Sequence, residues 1–151
     1  MQAKAKDIPL SERAAHLRIA IVRTARRLRQ EAAAETSGLT PTSVAALATI
    51  ERHGPLTPSE IAEIERVKRP TITRTLDCLA REGLIDRARD PEDGRSALIS
   101  VNGAGRERLR RLRGRKNAYL ARRMRDLSDE EVETLERAAE ILERMREGER
   151  S

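Results

Sequence analysis

The side chains best suited to chemistry in this sequence lie in a short cationic segment near its middle. Residues 66–76 contain Arg66, Lys68, Arg69 and Arg74 and no acid. Such side chains bind phosphate oxygens, and the planar guanidinium of arginine also binds guanine through two hydrogen bonds. We therefore interpret the segment as a nucleic-acid contact in which Arg74 reads bases. The alternative is a solvated helix face, which is the usual explanation of an isolated run of charges.

Two short helices are predicted to position this segment. Residues 57–60, Thr-Pro-Ser-Glu, form a capping box, and the helix that it begins must end by Val67. A second helix is predicted over residues 69–82, with Gly83 at its end. Its buried positions are expected to be Ile72, Leu76 and Leu79. Two short helices joined by about four residues form a helix-turn-helix candidate.

A β-hairpin is predicted directly after the second helix. Residues 85–89 and 97–101 alternate between apolar and polar side chains, and the Asp-Pro-Glu-Asp-Gly sequence at 90–94 is typical of a turn. A hairpin in this place is a wing. At its tip, the Asp93 carboxylate is expected to hold the Arg95 guanidinium extended toward a minor groove, whose negative potential attracts cations. As an ordinary surface pair, the same two residues would contribute little.

The first half of the chain is predicted to contribute two further helices. One runs over residues 11–34, where apolar side chains recur every three or four positions. Its stripe consists of Leu10, Ala14, Leu17, Ile21, Ala25 and Leu28. The next begins after Thr40 at Pro41 and ends near His53 and Gly54, where the glycine is expected to adopt the left-handed conformation. Its inward residues are expected to be Val44, Leu47 and Ile50.

The C-terminal third is predicted to form two helices. Asn102 is expected to cap the first, and residues 128–131, Ser-Asp-Glu-Glu, repeat the capping box before the second. The apolar positions of the first are Leu109, Leu112, Leu120 and Met124. The last helix carries a heptad-like stripe of Val132, Leu135, Ala139, Leu142 and Met145.

The stripes of the terminal helices are too narrow and too long for a single chain of this size to cover. A two-fold homodimer would bury them. The expected dimer interface comprises Leu10, Leu17, Ile21, Val132, Leu135, Leu142 and Met145. The alternative is an intramolecular helix hairpin. Residues 106–125 hold ten basic side chains and one acid, whereas residues 126–149 hold ten acids and three basic side chains. The basic helix is expected mainly to pair with the acidic one at each dimer end; the alternative is that it adds phosphate contacts along the duplex.

Composition narrows the class of protein further. At 151 residues the chain is about one domain, and with 1% aromatic residues its core must consist of Leu, Ile, Val and Ala, which favours helices. A net charge of +6 favours a polyanionic partner, although a soluble surface would also account for it. The sequence contains neither an apolar run of membrane-spanning length nor a signal core, and its single cysteine fits a reducing compartment. We therefore expect a cytoplasmic protein.

Several other motifs in the sequence do not indicate a redox, metal or nucleotide site. Cys78 lacks a second cysteine to resolve an oxidised sulfur, and it is better explained as a small, partly buried helix residue. His16 and His53 match no metal-ligand spacing, and Gly103-Ala104-Gly105 lacks the third glycine of a dinucleotide fingerprint. No catalytic motif is present, so we expect no enzymatic activity, no cofactor and no metal.

The stretch from Leu56 to Leu109 resembles the winged-helix core of MarR-type regulators. The most specific marks are the Thr-x-Thr-Arg of residues 71–74, Gly-Leu-Ile at 83–85 and Asp-Gly-Arg at 93–95. The resemblance implies a mainly α fold with a small β wing. It also implies a single domain over residues 1–151, in which residues 40–101 form the DNA-binding core and residues 8–34 and 103–147 form the dimerisation helices.

In function, the resemblance implies a homodimer that binds a pseudo-palindromic operator, usually as a repressor. Many relatives release DNA in response to a small molecule, so an effector of unknown identity is expected as a second partner. The expected DNA contacts are Lys68, Arg69, Pro70, Thr71, Thr73, Arg74, Asp93 and Arg95. The competing hypothesis is a winged-helix module that binds a protein and never DNA.

Overall fold

The computed structural model describes residues 8–148, which form six α-helices, one short 3-10 helix and a two-stranded sheet. The helices are α1 (Leu10–Glu31), α2 (Pro41–His53), α3 (Pro58–Ile64), α4 (Arg69–Arg81), α5 (Gly103–Met124) and α6 (Asp129–Glu147). The 3-10 helix, Ala33–Thr36, lies between α1 and α2. The strands β1 (Ile85–Arg89) and β2 (Ala97–Val101) pair antiparallel. The predicted class, mainly α with a small β wing, is confirmed.

The helix starts follow the predicted caps. The Thr40 hydroxyl accepts a hydrogen bond from the Ser43 amide. Both hydrogen bonds of the Thr57–Glu60 capping box are formed as expected. Hydrogen bonds from the Thr57 amide and hydroxyl to the Glu60 carboxylate lower the pKa of that carboxyl. After the C-terminal end of α4, Gly83 has φ +69, a left-handed value that glycine tolerates best.

The prediction for Gly54 was wrong. Its φ is −68, so α2 does not end in a left-handed residue. Instead, a Cβ on Gly54 would lie 2.5 Å from the carbonyl oxygen of Ile50 and 3.2 Å from its side chain. Glycine is therefore required here by the close approach of the chain to the last turn of α2.

The hydrophobic core lies between α2, α3, α4, the sheet and the first half of α5. The predicted inward residues Leu47 and Ile50 of α2 are buried, as are Leu109 and Leu112 of α5. Each such side chain stabilises the fold by about 1.5–3 kcal/mol. The largest fully buried side chains are Leu47, Ile50, Ile61, Ile72, Leu79, Ile99 and Leu112. The core thus supports α4 and the hairpin from one side and leaves their other side to solvent.

The described residues divide into a unit that ends at Lys116 and a unit that begins at Asn117, a point within α5. The first contains the core, and the second contains α6. Neither α1 nor α6 has a buried residue in the single chain. Within residues 8–148, no helix combines the length and the apolar character that crossing a membrane requires.

The arginines in the first half of α5 do not have the partners that the sequence analysis expected. Arg111 binds the Glu35 carboxylate at 3.0 Å, and Arg113 binds that of Glu51 at 2.6 Å. Arg108 donates to the backbone carbonyl of Glu35 at 3.2 Å. These partners lie on the 3-10 helix and α2, and not on the acidic last helix. For the basic residues after Lys116, pairing with α6 stays a prediction.

Candidate nucleic-acid interface

The cationic segment lies on the solvent side of α4. Ile72, Leu76 and Leu79 are buried as predicted, with exposed fractions of 0, 2 and 0%, and they fix which side of the helix faces outward. The six DNA contacts predicted at the start of this helix are all exposed: Lys68, Arg69, Pro70, Thr71, Thr73 and Arg74. These six side chains are therefore accessible to solvent around the start of α4.

The beginning of α4 is open to an anion. Lys68 is its N-cap residue, and its side chain makes no capping hydrogen bond. Pro70 occupies the first turn, which contains no acidic residue. The Thr71 and Ile72 amides already donate to the Lys68 carbonyl, but the positive end of the helix dipole attracts negative charge, and phosphate groups are common ligands at such ends. The helix start thus adds to the charge of Lys68 and Arg69.

The turn between α3 and α4 is held by specific contacts. Arg66 has φ +52, and the Val67 amide donates to the Ala62 carbonyl at 3.0 Å. Glu65 comes directly before Arg66, and its carboxylate accepts a hydrogen bond from the hydroxyl of Thr49 in α2. These contacts fix the direction in which α4 leaves the turn, as a helix-turn-helix requires.

The threonines of α4 use their hydroxyl protons within the helix. Thr73 donates to the Arg69 carbonyl at 3.1 Å, and Thr75 donates to the Thr71 carbonyl at 2.9 Å. Thr75 is buried and Thr73 is exposed. In this rotamer, the Thr73 oxygen keeps its lone pairs free, so it is suited to accept a hydrogen bond from a base amino group rather than to donate one to a phosphate.

The predicted Asp93–Arg95 contact exists, but it joins different atoms. The Asp93 carboxylate accepts a hydrogen bond from the Arg95 backbone amide at 3.0 Å and does not hold the guanidinium. Aspartate commonly closes a turn in this way, because its short side chain reaches the amide two residues later. Asp93 therefore shapes the wing tip. The Arg95 side chain is exposed and forms no ion pair with any residue in 8–148.

Asn102 caps α5 as predicted and also fixes the base of the wing. Its side-chain oxygen accepts a hydrogen bond from the Gly105 amide at 2.9 Å, and its side-chain nitrogen donates to the Gly83 carbonyl at 2.9 Å. A Cβ on Gly105 would collide with the Leu84 carbonyl oxygen, so this residue must be glycine. One side chain thus joins the end of α4, the start of β1 and the start of α5.

An ion pair that was not predicted from the sequence joins the wing to α4. The Arg87 guanidinium in β1 donates to the Asp77 carboxylate in α4 at 2.9 Å. The two residues lie on different elements, and only their opposite charges hinted at the contact.

Cys78, His16 and His53, for which the sequence predicts no chemical role, have surroundings typical of structural residues. Cys78 is partly buried, as expected, and its thiol donates to the Gly38 carbonyl at 3.3 Å. His16 and His53 are exposed. No group of three or more His, Cys, Asp or Glu side chains between residues 8 and 148 is arranged to hold a metal ion.

Comparison with known proteins places this chain in one family. The model of the MarR family matches residues 39–97, which include α2, α3, α4, β1 and the turn that follows it. An uncharacterized HTH-type transcriptional regulator of Mycobacterium bovis, Mb0904, is 36% identical over 129 residues, covering 85% of this chain and 89% of that protein. The HTH-type transcriptional repressor MdtR of Bacillus subtilis is 33% identical over 98 residues, covering 65% and 63%.

A solved structure extends the likeness to the flanking helices. A mutant of MepR from S. aureus, bound to an oligodeoxyribonucleotide, matches 87% of this chain and 96% of its own, with a TM-score of 0.66 and 21% identity. The chain belongs to the MarR family of winged helix-turn-helix transcriptional regulators. This is a family of DNA-binding regulators and not of enzymes.

Proposed function

We propose that this protein is a sequence-specific regulator that binds a pseudo-palindromic operator as a homodimer. The observation that carries the proposal is the exposed, acid-free start of α4, beside a wing whose Arg95 is also exposed. The presence of an oligodeoxyribonucleotide in the MepR structure supports the same use of this fold.

The contact residues have separate roles in this proposal. Arg74 reads a base in the major groove, most favourably guanine, and Thr73 accepts from a base amino group. Lys68, Arg69 and Thr71 bind phosphates at the helix start, where Pro70 brings the backbone close. At the wing tip, Arg95 enters the minor groove while Asp93 maintains the turn that presents it.

Dimerisation accounts for the apolar surface that the single chain leaves open. In α1, Leu10, Leu17 and Ile21 are 82, 46 and 42% exposed. In α6, Leu135 and Met145 are 48 and 61% exposed, and Val132 and Leu142 are partly buried. A two-fold interface that covers both stripes would remove this surface from water and place two copies of α4 about one helical turn of DNA, roughly 34–36 Å, apart.

We also propose the sign of regulation and the compartment. The relative MdtR is named a repressor. A dimer that covers an operator excludes other proteins from the same grooves, and we propose repression for this chain as well. The proposed site of action is the cytoplasm.

A cavity in the first unit supports control by a small molecule. It has a volume of about 660 Å³ and lies between α1, the 3-10 helix and α2. The lining includes the apolar residues Leu28, Leu39 and Val44 and the cationic residues Arg26, Arg29 and Lys116, and it includes no aromatic residue. An aliphatic carboxylate fits this combination, because the chain supplies alkyl contacts and cations but no ring on which a phenol could stack.

Octanoate and octanol are a matched pair of probes for this cavity. We expect octanoate to raise the thermal midpoint of the protein and to weaken its DNA binding, and octanol to do much less. Arg29→Gln should reduce the response to octanoate. Equal responses to both probes would argue against a cationic effector site.

The primary test of the proposal is the salt dependence of DNA binding. Fluorescence anisotropy would measure the affinity for a duplex selected from a random pool and for a random duplex, at several salt concentrations. A DNA-binding regulator should prefer the selected duplex, and log K should fall linearly with log[salt], since each phosphate contact releases counterion. Binding that is absent or indifferent to salt would instead favour a winged-helix module that docks on a protein.

A further inference from the structure

An acidic residue lies in the middle of the surface that α4 presents to DNA. Pro70, Arg74, Asp77 and Arg81 are spaced by four, three and four positions, so they follow one line along the helix. This line is opposite the buried residues Ile72, Leu76 and Leu79. The Asp77 side chain is 57% exposed. A free carboxylate at this place would face the phosphates of any duplex bound by α4 and would weaken binding.

Arg87 neutralises this carboxylate from the wing. Its Nη2 atom lies 2.9 Å from Oδ1 of Asp77. In the sheet, Arg87 pairs with Ile99, which is buried, so the arginine extends from the hairpin face that packs on the helices. The guanidinium therefore starts from a fixed strand and reaches across to α4.

Fold stability does not account for this pair. Both side chains are about half exposed, 45% for Arg87 and 57% for Asp77. Exposed ion pairs contribute little to the free energy of unfolding. The contact joins the two elements that the proposed function places in adjacent grooves, and it removes the negative charge from the line that carries Arg74.

Given the proposed DNA-binding function, we propose that Arg87 is a positioning residue for DNA recognition, which acts through Asp77 and not through the duplex. It holds the carboxylate neutralised. Its removal leaves the duplex facing an unpaired Asp77. The proposal assigns to both residues a role distinct from the contact residues already described.

A double-mutant cycle tests this role. The variants are R87Q, D77N and D77N/R87Q, each measured by fluorescence anisotropy on the selected duplex and on a random duplex. We expect R87Q to weaken binding about tenfold, D77N to bind at least as tightly as the unmodified protein, and the double variant to return to within about threefold of it. The rescue is the diagnostic result, because removing the acid makes the missing arginine unnecessary.

Arg89 supplies the matched control. It lies two residues further along β1, on the same face of the hairpin, and the structure gives it no ion pair within residues 8–148. R89Q changes the net charge by the same amount as R87Q. We expect D77N to have the same effect with R89Q as it has alone, so that this second cycle is additive.

The outcomes separate the possible failures. If the unmodified protein shows no salt-dependent DNA binding, the proposed function fails. If it binds but the Asp77–Arg87 cycle is additive, Arg87 contacts phosphate directly, R87Q should lower the salt slope by about one, and the inference is overturned. Thermal midpoints should agree closely across the variants; a large loss of stability for R87Q that D77N does not restore would make the pair structural and would also overturn it.

Discussion

At the scale of single residues, recognition depends on which side chains the buried face of α4 leaves outward. Arg74 is exposed, lies opposite Ile72 and Leu76, and has no acid in the helical turn before it. Arg95 is exposed at the wing tip, on a turn closed by Asp93. The two arginines are therefore expected to respond differently to the sequence of the duplex.

Replacing Arg74 should relax specificity. We expect R74A to lose about 1–3 kcal/mol of binding to the selected duplex, about fivefold to 150-fold, and much less to a random one, since it removes a base contact. R95A should weaken both duplexes similarly, because the minor groove carries little sequence information. Competition anisotropy with the two duplexes would measure the ratio. Equal losses for R74A on both would contradict a base-reading role.

Gly105 is expected to be essential for stability. Substitution by alanine would force a Cβ against the Leu84 carbonyl, and we expect G105A to lose about 1–3 kcal/mol of unfolding free energy in a urea titration. Gly114 is the control on the same helix, because a Cβ there meets nothing within 4 Å. G114A should be stabilising by about 0.5–1 kcal/mol, as alanine favours the helix over glycine. If both substitutions had the same sign, the crowding at Gly105 would not be the cause.

At the scale of elements, the contacts at their ends decide how the site is presented. The capping box begins α3, the Glu65–Thr49 hydrogen bond fixes the turn, and Asn102 joins α4 to the wing. None of these residues is among the proposed DNA contacts. Their effect is on the position of α4.

The capping box predicts a pH-dependent contribution to stability. Hydrogen bonds from Thr57 lower the pKa of Glu60 in the folded state. A lowered folded-state pKa gives stability that is present above the unfolded pKa, about 4.3, and is lost as pH falls through the folded value. We therefore expect the unmodified protein to exceed E60Q in stability at neutral pH and to lose that advantage in acid. Urea titrations over this range would show it; a difference that is constant with pH would contradict the assignment.

The elements were predictable where local chemistry specifies them. Gly83 and the turn residues mark the ends of the two strands, so both predicted strand ranges agree with the structure. Thr40, Thr57 and Ser128 mark the starts of three helices. Contacts between elements were not predictable. Arg111 and Glu35 are 76 residues apart, Arg87 and Asp77 lie on different elements, and the conformation of Gly54 follows from crowding by Ile50.

The candidate site shows the same division. The buried positions of α4 follow from its helical period: Ile72, Leu76 and Leu79 are buried as predicted, which leaves Arg69, Thr73 and Arg74 exposed. The predicted partner of the Asp93 carboxylate, the Arg95 guanidinium, was wrong. The sequence shows two charges near each other, but it does not show that the turn brings the Arg95 backbone amide closer.

At the scale of the whole molecule, the account requires a second copy of the chain. The stripe on α1 is exposed in the single chain, and substituting L17E/I21E should abolish the dimer by placing charges in the proposed interface. Light scattering after size exclusion should give twice the 17.0 kDa chain mass for the unmodified protein and one chain mass for the variant. The control is H16E, which lies off the stripe and should remain dimeric. A monomeric unmodified protein at micromolar concentration would contradict the dimer.

The most direct test of the central claim, that two copies of α4 read one operator, is a hydroxyl-radical footprint on the selected duplex. The account predicts two protected patches related by two-fold symmetry, with centres about 10 base pairs, one helical turn, apart, each accompanied by a minor-groove contact that R95A removes. A single patch, protection without symmetry, or no protection at concentrations that saturate binding would contradict it.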